Sequence, residues 1–439
     1  MKVVILLVLA ALMEAARSFS ADPAMAPSVS LTFGYLLLTA FFTGGIFGML
    51  RLPKLTGYIV AGVVVGPSAL GYVHESILPS LQIFNGVAVA MIALSAGVEL
   101  EVRSMRPLFR SIALITLVAN LLAMPLLAVT VYALRADLPF MVGLSSSSVI
   151  AVSVVLGIAM AAKSPAVVFA LRGELAADGP VTRTVLAVVV VSDLLTLVLF
   201  AGASAVARSS IGGSADMVQT VLLLAWELLG SIVAGGVIGL LLTLYLRKVP
   251  GGAAMFIAMV CFTVAEVGQR IHFDPLLLSL AAGIVVRNFS DAGDRLQGEI
   301  AKSSLPVYVI FFAVAGAKID LSVMPVVGLL AAILVGIRAT ALLGGARIGA
   351  RLARADEAVV RYAGLGLLPQ AGLAIALAQV FAKAFPELGD SAPALVLAVV
   401  AINEIISPAF YRLGLVRSGE ASRGKPPEPV FEPVHDSRA

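Results

Sequence analysis

The sequence predicts an all-α polytopic membrane protein with thirteen transmembrane helices. Hydrophobic residues make up 60% of the 439-residue chain and charged residues only 13%, and the mean hydropathy is +1.04. Soluble domains carry roughly 25% charged residues, so a soluble core could not hide this much apolar surface. Apolar runs of about 20 residues, each long enough to cross a bilayer, recur along nearly the whole chain. The runs are continuous and rich in Leu, Val and Ala, which favours helices over the alternating strands of a membrane barrel.

Thirteen segments have the length and apolar character of a membrane span. Their approximate boundaries are 29–50, 55–73, 81–100, 107–134, 140–171, 179–204, 215–246, 250–269, 272–288, 302–320, 323–350, 358–384 and 391–413. They define a membrane domain over residues 29–415. The polar, Pro-containing tail at 418–439 is predicted to be disordered. It is far too short for an RCK-type nucleotide-binding domain, so none is expected in this chain.

Residues 1–21 differ from these spans. Lys2 is followed by an apolar run from Val3 to Met13 and then by small residues up to Ala21, which is the pattern of a secretory signal peptide. The alternative is an uncleaved first helix.

The distribution of Lys and Arg sets the orientation, because cytoplasmic loops are enriched in both. Of the 30 basic residues, 21 lie in one set of loops and in the tail, 7 (Lys2 among them) lie on the other side, and two lie inside spans. We therefore expect a multi-pass protein of the bacterial inner membrane with its mature N-terminus outside and its C-terminus in the cytoplasm. Membrane topology accounts for the pI of about 9.2, so no nucleic-acid partner is expected.

Asp193, Lys163 and Arg338 lie inside apolar spans, where a charge is costly and by default marks function. Asp193 lies near the middle of VLAVVVVSDLLTLVLF and follows Ser192. Lys163 lies in MAAKSPAVVFAL and Arg338 lies in LLAAILVGIRATALLGG. The alternative to a functional Asp193 is an acid paired for structure inside the bundle. Arg338 needs an anionic partner, for which Asp193 is the first candidate and Glu404 the second.

Two predicted spans are interrupted. In the first, Pro165 follows Lys163 and Ser164. Proline removes a backbone donor and disfavours helical geometry at the residue before it. We predict a broken helix, whose free carbonyls and half-helix ends can bind a cation. The alternative is a kink with Lys163 reaching towards the cytoplasmic face. The second interruption lies in GLGLLPQAGLAIAL and contains Pro369, Gln370 and Gly372.

The order of these features predicts inverted repeats. A break at 163–165 precedes Asp193, and a break at 369–372 precedes the polar pair Asn403 and Glu404. Spans four to six therefore match spans eleven to thirteen. Paired interrupted helices in corresponding halves indicate the binding site of a transporter.

Five segments are similar to the monovalent cation:proton antiporters, on the branch that includes the Kef-type potassium efflux systems and the NapA-type sodium/proton antiporters. They are LPKLTGYIVAGVVVGPSALG, IALSAGVELE, FFAVAGAKIDL, LPQAGLAIALA and INEIISPAFYRLGL. The resemblance runs from about Leu52 to Leu415, and the first and last segments are the most specific.

The resemblance implies a core domain of six helices, at about 107–204 and 323–413, in which two broken helices cross at mid-membrane. Helices at about 29–100 and 250–320 would form the scaffold and the homodimer interface, and 215–246 would be a linker helix. The core would move against the scaffold like an elevator. The family's essential aspartate falls on Asp193, and the basic residue of its eleventh span falls on Arg338.

Two residues depart from the family pattern. Ser192 stands where Asp, Asn or Gln usually precedes the aspartate, and Lys163 stands where the first break usually has a small polar residue. The Lys163 ammonium would either occupy the cation site or form an ion pair with Asp193. We expect Asp193, Ser192 and Ser164 to bind the monovalent cation, with Lys163 and Arg338 as charge partners.

The predicted function is secondary active exchange of H⁺ for a monovalent cation, Na⁺ or K⁺, with both ions competing for Asp193. The alternative is a non-transporting membrane sensor or assembly partner that retains the fold, which Lys163 at the ion site favours. The three His residues lie far apart, and only one Asp lies deep in a span, so no enzymatic site is expected. Membrane lipids and a second copy of the chain are the expected partners, with no cofactor beyond the transported ions.

Overall fold

The fold is helical throughout the residues that the computed structural model describes, which are 2–19, 29–211, 217–249, 253–271, 273–321, 324–389 and 391–422. No strand occurs in these ranges. The seventeen α-helices of these ranges, α1 to α17 in chain order, are Lys2–Phe19, Val29–Met49, Lys54–Val65, Gln82–Glu99, Val102–Met105, Phe109–Ala133, Ser146–Met160, Pro165–Leu175, Pro180–Ser210, Met217–Lys248, Ala253–Arg270, Pro275–Phe289, Gly293–Ala317, Met324–Ala353, Glu357–Tyr362, Gly372–Ala384 and Ser391–Arg417.

The prediction of an all-α polytopic membrane protein is confirmed. Within the described residues, seven helices are long and apolar enough to cross a membrane, and three further segments reach that length as bent helix pairs. Three apolar helices, at Lys54–Val65, Ala253–Gly268 and Pro275–Phe289, are shorter. Each of the thirteen predicted segments contains one of these features. The count of thirteen spans stays a prediction, because length and composition alone do not show that the short helices cross.

The second predicted span, 55–73, is too long. Helix α3 ends at Val65, and Gly66 adopts an extended conformation with ψ 175°. Pro67 follows, and proline disfavours helical geometry at the residue before it. The chain then turns back on the helix end: the amide of Gly71, which has φ +65°, donates to the carbonyl of Gly66 at 2.9 Å. A turn therefore replaces the last two helical turns that hydropathy predicted.

Helix α1 packs against α2. This packing places Lys2 on a different side from the one that the count of basic residues assigned to it. The Lys2 ammonium donates to the carbonyl of Gly45 at 3.1 Å, near the C-terminal end of α2. The two helices are therefore antiparallel, and Lys2 lies at the same end of α2 as Arg51. The assignment of Lys2 to the opposite side is wrong, and moving it strengthens the bias of basic residues. Cleavage of residues 1–21 stays a prediction.

The centre of the molecule is built on the close approach of α6 and α14, one helix from each predicted repeat. Small residues permit it: a Cβ added at Gly345 would lie 2.6 Å from the Cα of Ala119, and one added at Gly349 would lie 2.6 Å from the carbonyl of Leu114. A separate cluster of buried apolar residues joins α4, α10, α11, α12 and α13. The division into core, scaffold and linker helices stays a prediction, and the main buried cluster joins α2, α3 and α13 to the predicted core helices.

The contact between α4 and α12 depends on two facing glycines. A Cβ added at Gly97 would overlap the carbonyl of Leu280 and lie 2.9 Å from the Cα of Gly283. A Cβ added at Gly283 would in turn lie 2.8 Å from the Cα of Gly97. In a membrane, the hydrophobic effect does not drive helices together. The dispersion contacts between two backbones this close therefore stabilise the helix pair.

We predict that Gly97→Ala destabilises the protein. The added methyl group meets backbone rather than a flexible side chain, and overpacking of this kind costs about 1–3 kcal/mol. The expected fall in the thermal unfolding midpoint of the detergent-purified protein is about 1–3 °C. The matched control is Gly336→Ala on α14, where a Cβ meets nothing within 4 Å. Equal midpoints for the two variants would contradict the prediction.

Candidate functional site

The first predicted break is confirmed. Helix α7 ends at Met160, and α8 begins at Pro165. Ser164 precedes α8 in an extended conformation, and its hydroxyl accepts a hydrogen bond from the amide of Val167 at 3.3 Å. Pro165, the first residue of α8, has no backbone N–H and therefore leaves no donor without a hydrogen-bond partner at the helix start. Residues 161–164 therefore connect two half-helices, and Lys163 lies in this connection.

The second predicted break is also confirmed. The chain passes from α15 into a 3₁₀ helix at Ala363–Leu367, and α16 begins at Gly372. The two halves are bent by 43°. Pro369 and Gln370 lie in the connection between them.

The two breaks are in direct contact. The amide of Ser164 donates to the carbonyl of Pro369 at 2.9 Å. In the other direction, the side-chain amide of Gln370 donates to the carbonyl of Met160 at 3.1 Å. Backbone groups released by one broken helix are therefore satisfied partly by the other, as burial away from water requires.

Arg338 binds carbonyls, not a carboxylate. Its guanidinium is fully buried and donates to the carbonyls of Met160 at 2.8 Å, Ala162 at 2.7 Å and Leu368 at 2.7 Å. The expected pairing with Asp193 or Glu404 is wrong. The physical reason is that a helix end leaves carbonyls unpaired with partial negative charge, and three of them from two breaks match the fork of donors that Arg presents.

Asp193 lies in the interior of α9 with a carboxylate that no described side chain binds. Its side chain is 4% exposed, no side chain in the described ranges donates a hydrogen bond to either oxygen, and the backbone amide of Lys163 faces the carboxylate. The Lys163 ammonium acts on it electrostatically without a hydrogen bond. An unpaired buried carboxylate is costly unless it is neutralised. Asp193 is therefore available to bind a proton or a cation.

Lys163 is held by a residue that the sequence analysis missed. Its ammonium, fully buried, donates to the side-chain oxygen of Asn120 at 2.9 Å and to the carbonyl of Ala161 at 3.3 Å. The amide nitrogen of Asn120 donates to the hydroxyl of Ser192 at 3.2 Å. The signal was present in the sequence, since Asn120 is a lone amide in the apolar run LITLVANLLAMPLLAV. Because Asn120 carries no charge, the charge pattern of the sequence does not indicate it.

The site contains oxygen atoms suited to a small hard cation. No described side chain binds the two carboxylate oxygens of Asp193, and the hydroxyls of Ser192 and Ser164 each accept one hydrogen bond and retain a second lone pair. Free carbonyls are scarcer than expected, because Arg338 and Gln370 already bind those of Met160, Ala162 and Leu368. Binding of one monovalent cation by Asp193, Ser192 and Ser164 stays a prediction.

The helix that carries Asp193 is fixed at its first turn by the C-terminal segment. The carboxylate of Glu420 accepts hydrogen bonds from the amides of Val181 at 2.7 Å and Thr182 at 2.8 Å. It therefore caps the N-terminus of α9, where a negative charge interacts favourably with the helix dipole. Beside it, hydrogen bonds from the Arg183 guanidinium hold the pKa of the Asp178 carboxyl below its usual range.

Because Glu420 is fixed in this way, the prediction of disorder from residue 418 is wrong for 418–422. Residues 423–439 lie outside the described part of the chain.

A comparison with known protein families identifies the family of this chain. The family model described as the transmembrane sodium/hydrogen exchanger matches residues 37–410. This chain belongs to the sodium/hydrogen exchanger family. The family assignment confirms the resemblance drawn from the sequence, and it makes this a membrane protein of the cation/proton antiporter class.

Individual relatives of this exchanger are distant. It is 26% identical over 395 residues to a protein named iron transporter MagA of Paramagnetospirillum magneticum, covering 86% of this chain and 84% of MagA. It is 23% identical over 260 residues to the high-affinity Na⁺/H⁺ antiporter NhaS3 of Synechocystis, covering 57% and 55%. The sodium/proton antiporter MjNhaP1 of Methanocaldococcus jannaschii, in its structure at pH 8, shares the fold with a TM-score of 0.64 at 14% identity, covering 88% and 97%.

We predict that Arg338→Lys destabilises this exchanger. A single ammonium cannot reach three carbonyls that a guanidinium fork spans, and each buried carbonyl left unpaired costs about 1–3 kcal/mol. The thermal unfolding midpoint should fall by about 5 °C or more. The control is Arg347→Lys, an exposed arginine on the same helix, which should leave the midpoint unchanged. A stable Arg338→Lys variant would show that the carbonyls do not need the fork.

Proposed function

We propose that this protein is a secondary active antiporter that exchanges H⁺ for a monovalent cation, with both ions competing for Asp193. The observation that carries the proposal is the buried Asp193 carboxylate, which no described side chain binds, on a helix packed against two broken helices that touch. A bare carboxylate is expensive to move through hydrocarbon, whereas a protonated or cation-bound one is not. Competition for one group therefore couples the two fluxes.

The electrostatics of the site favour a singly charged substrate. One carboxylate can neutralise one positive charge, and the Lys163 ammonium already contributes a second positive charge nearby. With Lys163 charged, a monovalent ion leaves one uncompensated positive charge and a divalent ion leaves two, so the monovalent ion costs less inside the membrane. Relatives are named for sodium in NhaS3 and for iron in MagA, so an ion panel for this chain needs Na⁺, K⁺, Li⁺ and Fe²⁺. We propose Na⁺ or K⁺ as the substrate.

The mechanism that we propose is elevator-type alternating access. The core, with α6 to α9 and α14 to α17, would carry the neutralised site past a scaffold formed by α2 to α4 and α11 to α13. The cross-linked breaks support movement of the core as one unit, because Ser164 and Gln370 join the two half-helix pairs. We propose a homodimer in the bacterial inner membrane with a cytoplasmic C-terminus and no enzymatic activity.

The first functional prediction concerns Asp193→Asn. The amide can neither release a proton nor neutralise a cation, so proteoliposomes should lose cation-driven proton movement, measured by fluorescence dequenching, by about 100-fold or more. Asp137→Asn, at an exposed acid outside the helices, is the control and should exchange normally. Unchanged exchange in Asp193→Asn would remove Asp193 from the mechanism.

The second functional prediction concerns Lys163→Thr. Removing a positive charge from beside the site should strengthen cation binding, and an energy of about 1.4 kcal/mol corresponds to a tenfold lower cation concentration for half-maximal exchange. The matched control is Lys383→Thr on α16, which should not change that concentration. Weaker cation binding in Lys163→Thr would show that the ammonium orders the site.

The alternative is a sensor or assembly partner that does not transport, and the buried Lys163 at the break is the observation that favours it. If Lys163 permanently replaces the cation, wild-type vesicles should show no proton flux with any ion of the panel. Exchange that appears only in Lys163→Thr would then identify Lys163 as the block.

A further inference from the structure

One end of the α6–α14 pair, on the side predicted to be cytoplasmic, brings exposed arginines together from two distant parts of the chain. The close contacts of Gly345 and Gly349 make the two helices antiparallel, and the Arg110 guanidinium donates to the carbonyl of Leu352 at 3.3 Å. The start of α6 therefore lies level with the last turns of α14. The exposed side chains at this end, which we call the arginine patch, are Arg106, Arg110, Arg347, Arg351 and Arg354.

The α14 part of the arginine patch borders an exposed apolar surface. Arg347, Arg351 and Arg354 are spaced four and three residues apart, which places them on one side of the helix. Ile348 and Leu352, which follow the first two of these arginines, are 47% and 55% exposed. Because α14 is long and apolar enough to cross a membrane, these two side chains contact lipid. The arginines therefore lie beside hydrocarbon.

Arg347 is the member of the patch on α14 that lies furthest from the helix end. It precedes the last residue, Ala353, by six residues, or about 9 Å along the helix axis. The contact of Gly345 with Ala119 places Arg347 level with Leu117 of α6, which is 50% exposed. A guanidinium at this depth extends towards the headgroup region, where lipid phosphates lie.

No acidic side chain within the described part of the chain forms a salt bridge with the arginine patch. Other arginines on the same predicted side do have acidic partners: Arg183 pairs with Asp178 at 3.0 Å, and Arg361 pairs with Glu357 at 2.6 Å. Asp356, the acid that follows α14 most closely in the chain, brings one negative charge against three arginines. The patch is therefore a positive surface at the edge of the hydrocarbon, which fits an anion that itself lies in the membrane.

We propose that the arginine patch binds an anionic phospholipid of the adjacent leaflet, which is the cytoplasmic one in the proposed orientation. The lipid phosphate accepts hydrogen bonds from the guanidinium groups, whose planar fork of donors matches phosphate. The acyl chains lie along the exposed side chains of Leu117, Ile348 and Leu352. A soluble phosphate would gain only the first of these contacts. The proposal goes beyond the antiport at Asp193 and holds whichever ion is exchanged.

The test measures lipid binding to the purified full-length protein by native mass spectrometry, with phosphatidylglycerol or phosphatidylcholine of the same chain length. The wild type should bind phosphatidylglycerol more tightly than phosphatidylcholine. The double variant Arg347→Gln and Arg351→Gln should bind phosphatidylglycerol about 30-fold more weakly, because each arginine near an anionic lipid surface contributes about fivefold.

The matched control is the double variant Arg183→Gln and Arg361→Gln. It removes the same charge from arginines that already have acidic partners, so it should bind phosphatidylglycerol as the wild type does. Equal losses of affinity in the two double variants would overturn the proposal, because binding would then follow net charge alone.

Two further outcomes of the same experiment would contradict the proposal without any variant. Equal affinity of the wild type for the two lipids would show that the patch does not recognise the anionic headgroup, and this result does not depend on whether a variant folds. Displacement of bound phosphatidylglycerol by excess glycerol phosphate would show a site for soluble phosphate and would overturn the assignment to a lipid.

Discussion

Two helices that stop midway through a membrane leave backbone carbonyls and amides without partners, and satisfying those groups is the constraint on which the rest of this structure depends. Water is absent at that depth, so the partners must come from the protein. Arg338 supplies three donors to carbonyls of both breaks, and Gln370 and the Ser164 amide supply the remaining cross-links. A buried cation is tolerated because helix ends provide the negative partial charge that a carboxylate would otherwise provide.

This use of Arg338 has a consequence for the acids. A guanidinium bound to three carbonyls is not available to form an ion pair, so Asp193 and Glu404 keep oxygens that no described side chain occupies. Lys163 is likewise directed to Asn120. At the two breaks, the buried cations Arg338 and Lys163 therefore hydrogen-bond to neutral partners and not to carboxylates. Acids without permanent partners are what exchange between a proton and a cation requires.

The two broken helices differ in chemistry. The first break contains Lys163 and the second contains Gln370, so only one of them brings a charge. The amide side chain can bond both the opposite break and Asn403, whereas the ammonium needs Asn120 from a separate helix. The two breaks thus differ in their electrostatic field, and the two acids experience different surroundings.

Local pattern was sufficient to determine the membrane class, most helix positions and both breaks, and to select Asp193 as a candidate, because hydropathy, proline and an isolated charge act within a few residues of sequence. The tertiary structure alone decided which group binds Arg338, since its partner Met160 lies 178 residues away along the chain. It also decided which groups Asn120 and Glu420 bind. A neutral amide or a tail carboxylate carries no local signal of its partner, and the identity of that partner is fixed only when distant helices pack.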